Sequence, residues 1–434
     1  MIRANWSCLT PRRVCDGLRP FFFAILLTVL LLASACNRQP EPVEETLAPV
    51  LTRTLQPSPT LTQAPTRTPR PHTPTPFVET ATLSKPLFLL SDKAVWVIQP
   101  GETVVQRLTP PELKVTTFDI WPGDNRLVYG TDTGQVYLAR DTSSIVPEPV
   151  MLFDAFPDAP YLVRMESLSL STDGKRLAFS VDYSSPGASQ TAGYPSSPSG
   201  LWLFEMDTRQ AQWVESNRYL SPDQSDITLL RRLATGPWSP DGTGLLLHGI
   251  FWEWSDILFL ETGDGENQLL EPPGDLWGSA FWTPDSQSFL LSGKLNSSTS
   301  DLVQVFRHEL EPVQLIDGQA SKLYVYDAVD LPSGTAFLAN CEGCSPIQTR
   351  LYRGHRLEED FVWTAVNMHQ NCTAGAPRHI QWDQEGLIGA MDCGPGELRV
   401  IQFRIDDIAE LDISAYLNPL ANSEVLKLAW GGER

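Results

Sequence analysis

The stretch TGPWSPDGTGLLLHG, Thr235 to Gly249, decides the fold. An apolar approach ends at Trp238, Ser239-Pro240-Asp241-Gly242 reverses the chain, and Leu245, Leu246 and Leu247 leave as a strand. Proline presets φ for a turn and glycine accepts the φ that a β-carbon resists, so these residues spell a β-hairpin.

The same hairpin is written again at FDIWPGDNRLVYG (Phe118 to Gly130), LSLSTDGKRLAFS (Leu168 to Ser180), SAFWTPDSQSFLLSG (Ser279 to Gly293), AVDLPSGTAFLAN (Ala328 to Asn340) and HIQWDQEGLIGAMD (His379 to Asp392). The copies recur about every fifty residues, with one longer gap between the second and the third. Third strands follow in GQVYLAR, GLWLFEMD, DILFLETG, LVQVFRHEL and ELRVIQFRI, with a fourth in the less regular residues beyond. Several strands per period of this size mean the blades of a β-propeller. No segment offers a long amphipathic helix.

The two ends complete one more blade. VLKLAWGGER, Val425 to Arg434, is the opening of the hairpin with Trp430 in the place of Trp238, and PLFLLSD, KAVWVIQP and TVVQRL read as the second, third and fourth strands it lacks. The expectation is an all-β, seven-bladed propeller over 84–434, with six or eight blades as alternatives. Its ring is closed by pairing the N- and C-terminal strands, which hides the sheet edges.

Ahead of the repeats stand two segments of other composition. Residues 1–35 have a basic start (Arg12, Arg13, Arg19), an apolar run Phe21 to Leu32 too short to span a bilayer as a helix, and small residues before Cys36. Residues 36–83, with QPSPTLTQAPTRTPRPHTPTP at their centre, are rich in Thr and Pro and poor in large apolar groups, the composition of a disordered, extended tether.

These motifs carry two resemblances. LLASAC is similar to the lipobox of bacterial lipoproteins, which implies cleavage before Cys36, lipidation of that cysteine and attachment to the outer side of the cell membrane. WSPDG, WTPDS and STDGKRLAFS resemble the repeats of TolB-like β-propellers, distant relatives of WD-repeat propellers. The second resemblance covers the whole repeat region and implies a fold; propellers serve as binding modules, scaffolds and enzymes alike.

The chain holds 32 Lys and Arg against 52 Asp and Glu, a net charge of -20, with the excess of acid from Ser84 onward. Such a surface repels phosphate backbones, so nucleic-acid binding is not expected. Trp238, Trp282, Trp382 and Trp430 occupy one repeat position and should pack between blades. The longest insertions, VDYSSPGASQTAGYPSSPSG, FWEWSD and KLNSSTSD, follow second strands and share one face with the blade-to-blade connections. On that loop-rich face Trp252, Trp254, Trp277 and Tyr194 are the candidate ligand-binding residues, with Trp277 placed in the connection after the third blade.

Cys341, Cys344, Cys372 and Cys393 are expected on the same face. In an exported protein an even set reads as two disulfides, Cys341 with Cys344 and Cys372 with Cys393 being the simplest of three pairings. A four-thiolate zinc site is the rival reading. There is no GxSxG, HExxH, Walker-type GxxxxGK[ST] or strand-borne GxGxxG motif, and His248, His308, His355, His369 and His379 are scattered. No catalytic set, resident metal or cofactor is assigned. The expected function is recognition, by a monomeric membrane-anchored propeller, of an envelope or extracellular protein or glycan. The alternative is a carbohydrate-active enzyme, a lyase or glycoside hydrolase, on the same scaffold.

Overall fold

The computed structural model describes residues 83–432, apart from 141, 143–148, 155–161, 185–198, 221–227, 252–254, 264–266, 296–298, 332–333, 342–347, 358–359, 367–378, 384–387, 404–407 and 421. Each repeat hairpin is the inner half of a four-stranded antiparallel sheet. Around Trp238, the strand Arg232–Trp238 pairs with Gly244–Ile250, which pairs with Ser255–Thr262 and then Asn267–Leu270.

Seven such sheets form a β-propeller. The innermost strands of blades one to seven are Val115–Trp121, Leu162–Leu170, Arg232–Trp238, Asp275–Trp282, Leu323–Leu331, His379–Trp382 and Lys427–Trp430.

Second strands lie between two blades, which explains their unbroken apolar runs. A strand covered on one face alternates apolar and polar residues; one covered on both does not. Leu245 and Leu247 pack with Ala178 and Leu201 of blade two, while Leu246 packs with Leu276, Trp282 and Phe289 of blade four. All three leucines are fully buried.

Blade seven is made from both ends of the repeat region. Lys427–Trp430 pairs antiparallel with Leu87–Ser91, Leu87 standing opposite Trp430, and Ala94–Ile98 and Gln106–Arg107 complete the sheet. Further contacts hold the closure. Gly431 N donates to Pro86 O at 2.9 Å, Gly432 N donates to Asn125 Oδ1 at 2.8 Å, and Lys85 Nζ meets Asp383 Oδ2 of blade six at 2.8 Å.

The longer gap between the second and third copies contains an extra two-stranded ribbon, Arg218–Leu220 with Thr228–Leu230. Among the described residues helix is confined to two blade-to-blade connections. Gly318–Ser321 is one turn capped by the Asp317 side chain, which accepts from Ala320 N, and Ser414–Leu420 is a 3₁₀ segment that buries Leu417 and Leu420. The inner strands of blades one to five share a further feature: each breaks register with its neighbour partway along its length. Such bulges bend a strand and re-aim its side chains. In blade four the irregularity needs glycine, because Gly278 has φ +94° and an added β-carbon would meet the Ser292 hydroxyl.

Candidate functional site

The inner strands run toward the tight turns, and at that end they surround a cavity of about 510 Å³. Its wall is built from two columns of the repeat. The first is the Trp238 position itself: Trp121, Leu170, Trp238, Trp282, Leu331, Trp382 and Trp430 from blades one to seven. The second is the residue before it: Ile120, Ser169, Pro237, Phe281, Asp330, Gln381 and Ala429.

The two columns have different work. Four tryptophans of the first column are nearly buried, between 4% and 7% exposed. Their indole N–H groups tie neighbouring blades: Trp238 donates to Ser169 O at 3.1 Å, Trp282 to Pro237 O at 3.1 Å and Trp430 to Gln381 O at 2.8 Å. Trp121 bonds in the opposite direction, to Thr172 O of the following blade at 2.9 Å. Arg126, Arg176 and Arg307 lay guanidinium groups over Trp121, Trp238 and Trp282. The second column is chemically mixed around the ring. Proline and phenylalanine stand in blades three and four, and carboxylate and amide in blades five and six.

The turns below the wall are rigid for a reason written in Ser/Thr-x-Asp. Ser171, Ser239 and Thr283 donate their hydroxyls to Asp173, Asp241 and Asp285, whose carboxylates also accept the backbone N–H two residues on. Partial burial raises the Asp241 pKa, but hydrogen bonds from Ser239, Thr243 and Arg307 prevail and hold it down at about 2.

Two wall carboxylates are shifted the other way. Burial pushes Asp119 up, against the pull of Lys427 and of the Leu170 and Ile120 amides that its oxygens accept. Burial also pushes Asp330 up, with the Thr335 hydroxyl opposing it, the Asp285 charge adding to it and Arg356 opposing. Lys427 is lowered by burial, with Asp119 opposing; its Nζ donates to Leu168 O at 3.2 Å. A third carboxylate, Asp383, is committed to Lys85. The site therefore combines indole edges, an apolar arc and carboxylates in a walled space. That arrangement suits recognition of a ligand with both apolar and hydrogen-bonding parts.

The sequence singled out the opposite face. Trp277 stands in the inner strand of blade four and not in the connection before it, half-buried and with its ring 5.6 Å from that of Tyr324. It reaches that strand because Leu276 packs into the core between blades three and four, drawing the chain into the sheet early. Trp252, Trp254, Tyr194 and Cys36 lie outside the described residues. Cys341 ends the second strand of blade five and Cys393 lies near the end of the second strand of blade six; both are disulfide-bonded. Cys344 and Cys372 lie outside the described residues. Among the described residues no group of three or more His, Cys, Asp or Glu is placed to hold a metal ion.

The cavity wall was missed because its residue types vary from blade to blade. The signal was nonetheless present: the column before the tryptophan is the variable one beside the most regular one.

No protein-family model and no curated protein sequence matches the chain. Similar solved structures include TolB from Acinetobacter baumannii, at 12% identity and TM-score 0.41, over 81% of this chain and 68% of that one. The putative TolB from Agrobacterium tumefaciens is similar at 14% identity and TM-score 0.38, over 65% of this chain and 94% of that one. A putative 6-phosphogluconolactonase from Bacteroides uniformis is similar at 10% identity and TM-score 0.48, over 80% and 99%. These are likenesses of fold alone, and the seven sheets of this chain by themselves make it a β-propeller.

Proposed function

We propose that the protein is a binding or scaffolding propeller of the cell envelope. It is lipidated at Cys36, held off the membrane by the Thr/Pro tether, and recognises an envelope or extracellular protein or glycan. The observation that carries recognition is the second column of the cavity wall. Seven equivalent positions present Ile, Ser, Pro, Phe, Asp, Gln and Ala, whereas the tryptophan column beside them stays uniform enough to hold the ring. A wall needed only for packing has no use for that diversity. The loop-rich face, with Trp252, Trp254, Trp277 and Tyr194, is the competing recognition surface.

The test places a photo-crosslinking residue at Gln381, in the cavity, or at Trp277, on the other face, in the natively expressed full chain. An adduct from position 381 that disappears when Phe281→Arg fills the cavity supports recognition there. An adduct only from position 277 moves recognition to the loop-rich face, and none from either removes the proposal. Metabolic palmitate labelling, lost in Cys36→Ser, tests the anchor.

A second reading has one observation in its favour. Asp119 and Asp330, both raised by burial, line the same cavity, as the acid of a glycoside hydrolase would. Bond cleavage in a glycan panel, abolished by Asp330→Asn, would replace binding with catalysis.

A further inference from the structure

A second concavity, of about 440 Å³, lies between blades one and two beside the same turns, and its chemistry is opposite to that of the whole molecule. In a chain of net charge -20, three arginines converge on it: Arg126 and Arg140 from blade one, and Arg209 from the turn joining the third and fourth strands of blade two. Its lining includes Leu138, and its two carboxylates are Asp124 and Asp207.

These charges are not all spent on each other. Arg126 is held by Asp124 through Nε at 3.3 Å and a terminal nitrogen at 2.8 Å, and it covers the Trp121 ring. Arg140 and Arg209 are exposed, and no hydrogen bond or ion pair joins either guanidinium to a described residue. Two guanidinium forks on one small concavity match an anion with several oxygens, because each fork offers paired N–H donors to a carboxylate, phosphate or sulfate.

Long-range and local electrostatics then select the size of the ligand. The overall negative field repels an extended polyanion, while the arginines that line one concavity attract a compact anion that comes within a Debye length, about 8 to 10 Å. We propose that this groove is a binding site for a compact oxyanion, a tetrahedral phosphate or sulfate group, gripped between Arg140 and Arg209. Arg126 forms the back of the site and Asp207 limits how much negative charge it accepts. The site is separate from the central cavity and does not depend on the function proposed for it.

The test is calorimetric titration of the folded protein with inorganic phosphate and inorganic sulfate, at ionic strength matched with sodium chloride. Glucose 6-sulfate against glucose separates an ester-borne group from the free ion. The expected result is saturable binding that weakens at least tenfold in Arg140→Ala and in Arg209→Ala and is lost in the double variant, whose melting temperature stays that of the parent without added anion. Arg209→Lys should weaken binding less than Arg209→Ala. No saturable heat beyond the chloride control, or equal binding by the double variant, overturns the site. Binding of glucose 6-sulfate but not of either inorganic ion would keep the oxyanion site and assign it to an ester group.

Discussion

Trp282 shows how one residue type serves both fold and site. It is 7% exposed, lies edge-on to Phe259 and Phe289, carries Arg307 over its ring and donates its N–H to the preceding blade. Trp282→Ala should destabilise the protein by roughly 3–5 kcal/mol, through lost burial and an unfilled cavity. Trp282→Phe keeps an aromatic ring but leaves the Pro237 carbonyl without its donor, at about 1–2 kcal/mol. Urea denaturation of the two variants measures both. A Trp282→Phe variant as stable as the parent would mean that the indole N–H contributes nothing to joining the blades.

Asp256 carries a pH dependence that can be signed. Burial pushes its pKa up to about 6, with Arg231 opposing and Glu271 adding to the rise. The ordinary value is near 4, so ionising Asp256 is harder in the folded chain than in the unfolded one. The resulting destabilisation is absent below pH 4, grows between pH 4 and 6 and is complete above. Asp256→Asn should therefore raise stability at pH 8 by on the order of 2 kcal/mol and leave it nearly unchanged at pH 4. Denaturation at the two pH values decides; a gain that is the same at both would show that ionisation is not the cause.

At the scale of the element, the strand Lys427–Trp430 carries more than its four residues suggest. It fills the inner edge of blade seven, and Trp430 reaches blade six while Lys427 reaches blade two through Leu168 O. Deleting residues 425–434 removes this strand, opens the edge of Leu87–Ser91 and withdraws Gly432 from Asn125. The truncated chain should aggregate or melt well below the intact one. A truncation that melts like the full chain would refute closure by this strand. The buried Lys85–Asp383 pair acts beside it, tying the first described residues to blade six.

At the scale of the molecule, the ring converts repetition into asymmetry. Each blade supplies one residue of each column to the wall of the central cavity, so the seven copies write a single surface of mixed chemistry. The negative charge of the chain is likewise uneven at short range, and the groove between blades one and two is where arginine outnumbers acid. A summed field of this kind governs which ligands approach, while local forks govern which are held.

The repeat hairpin by itself determined the architecture. Turn chemistry at Pro240, Asp241 and Gly242, apolar runs such as Leu245 to Leu247, and the half-hairpin ending in Trp430 point to a propeller closed by its two ends, because each is a local signal read within a few residues; the structure fixes the count at seven where six or eight blades were alternatives. The tryptophan column was legible for the same reason. What only the tertiary structure decided is where those columns meet. Ile120 and Asp330 lie far apart in the chain and share a wall because ring closure brings every inner strand to one axis. The placement of Trp277 within a strand, the direction of each indole bond and the convergence of Arg140 with Arg209 are likewise decided by how one blade packs on the next. They arise from contacts between blades, which no single repeat contains.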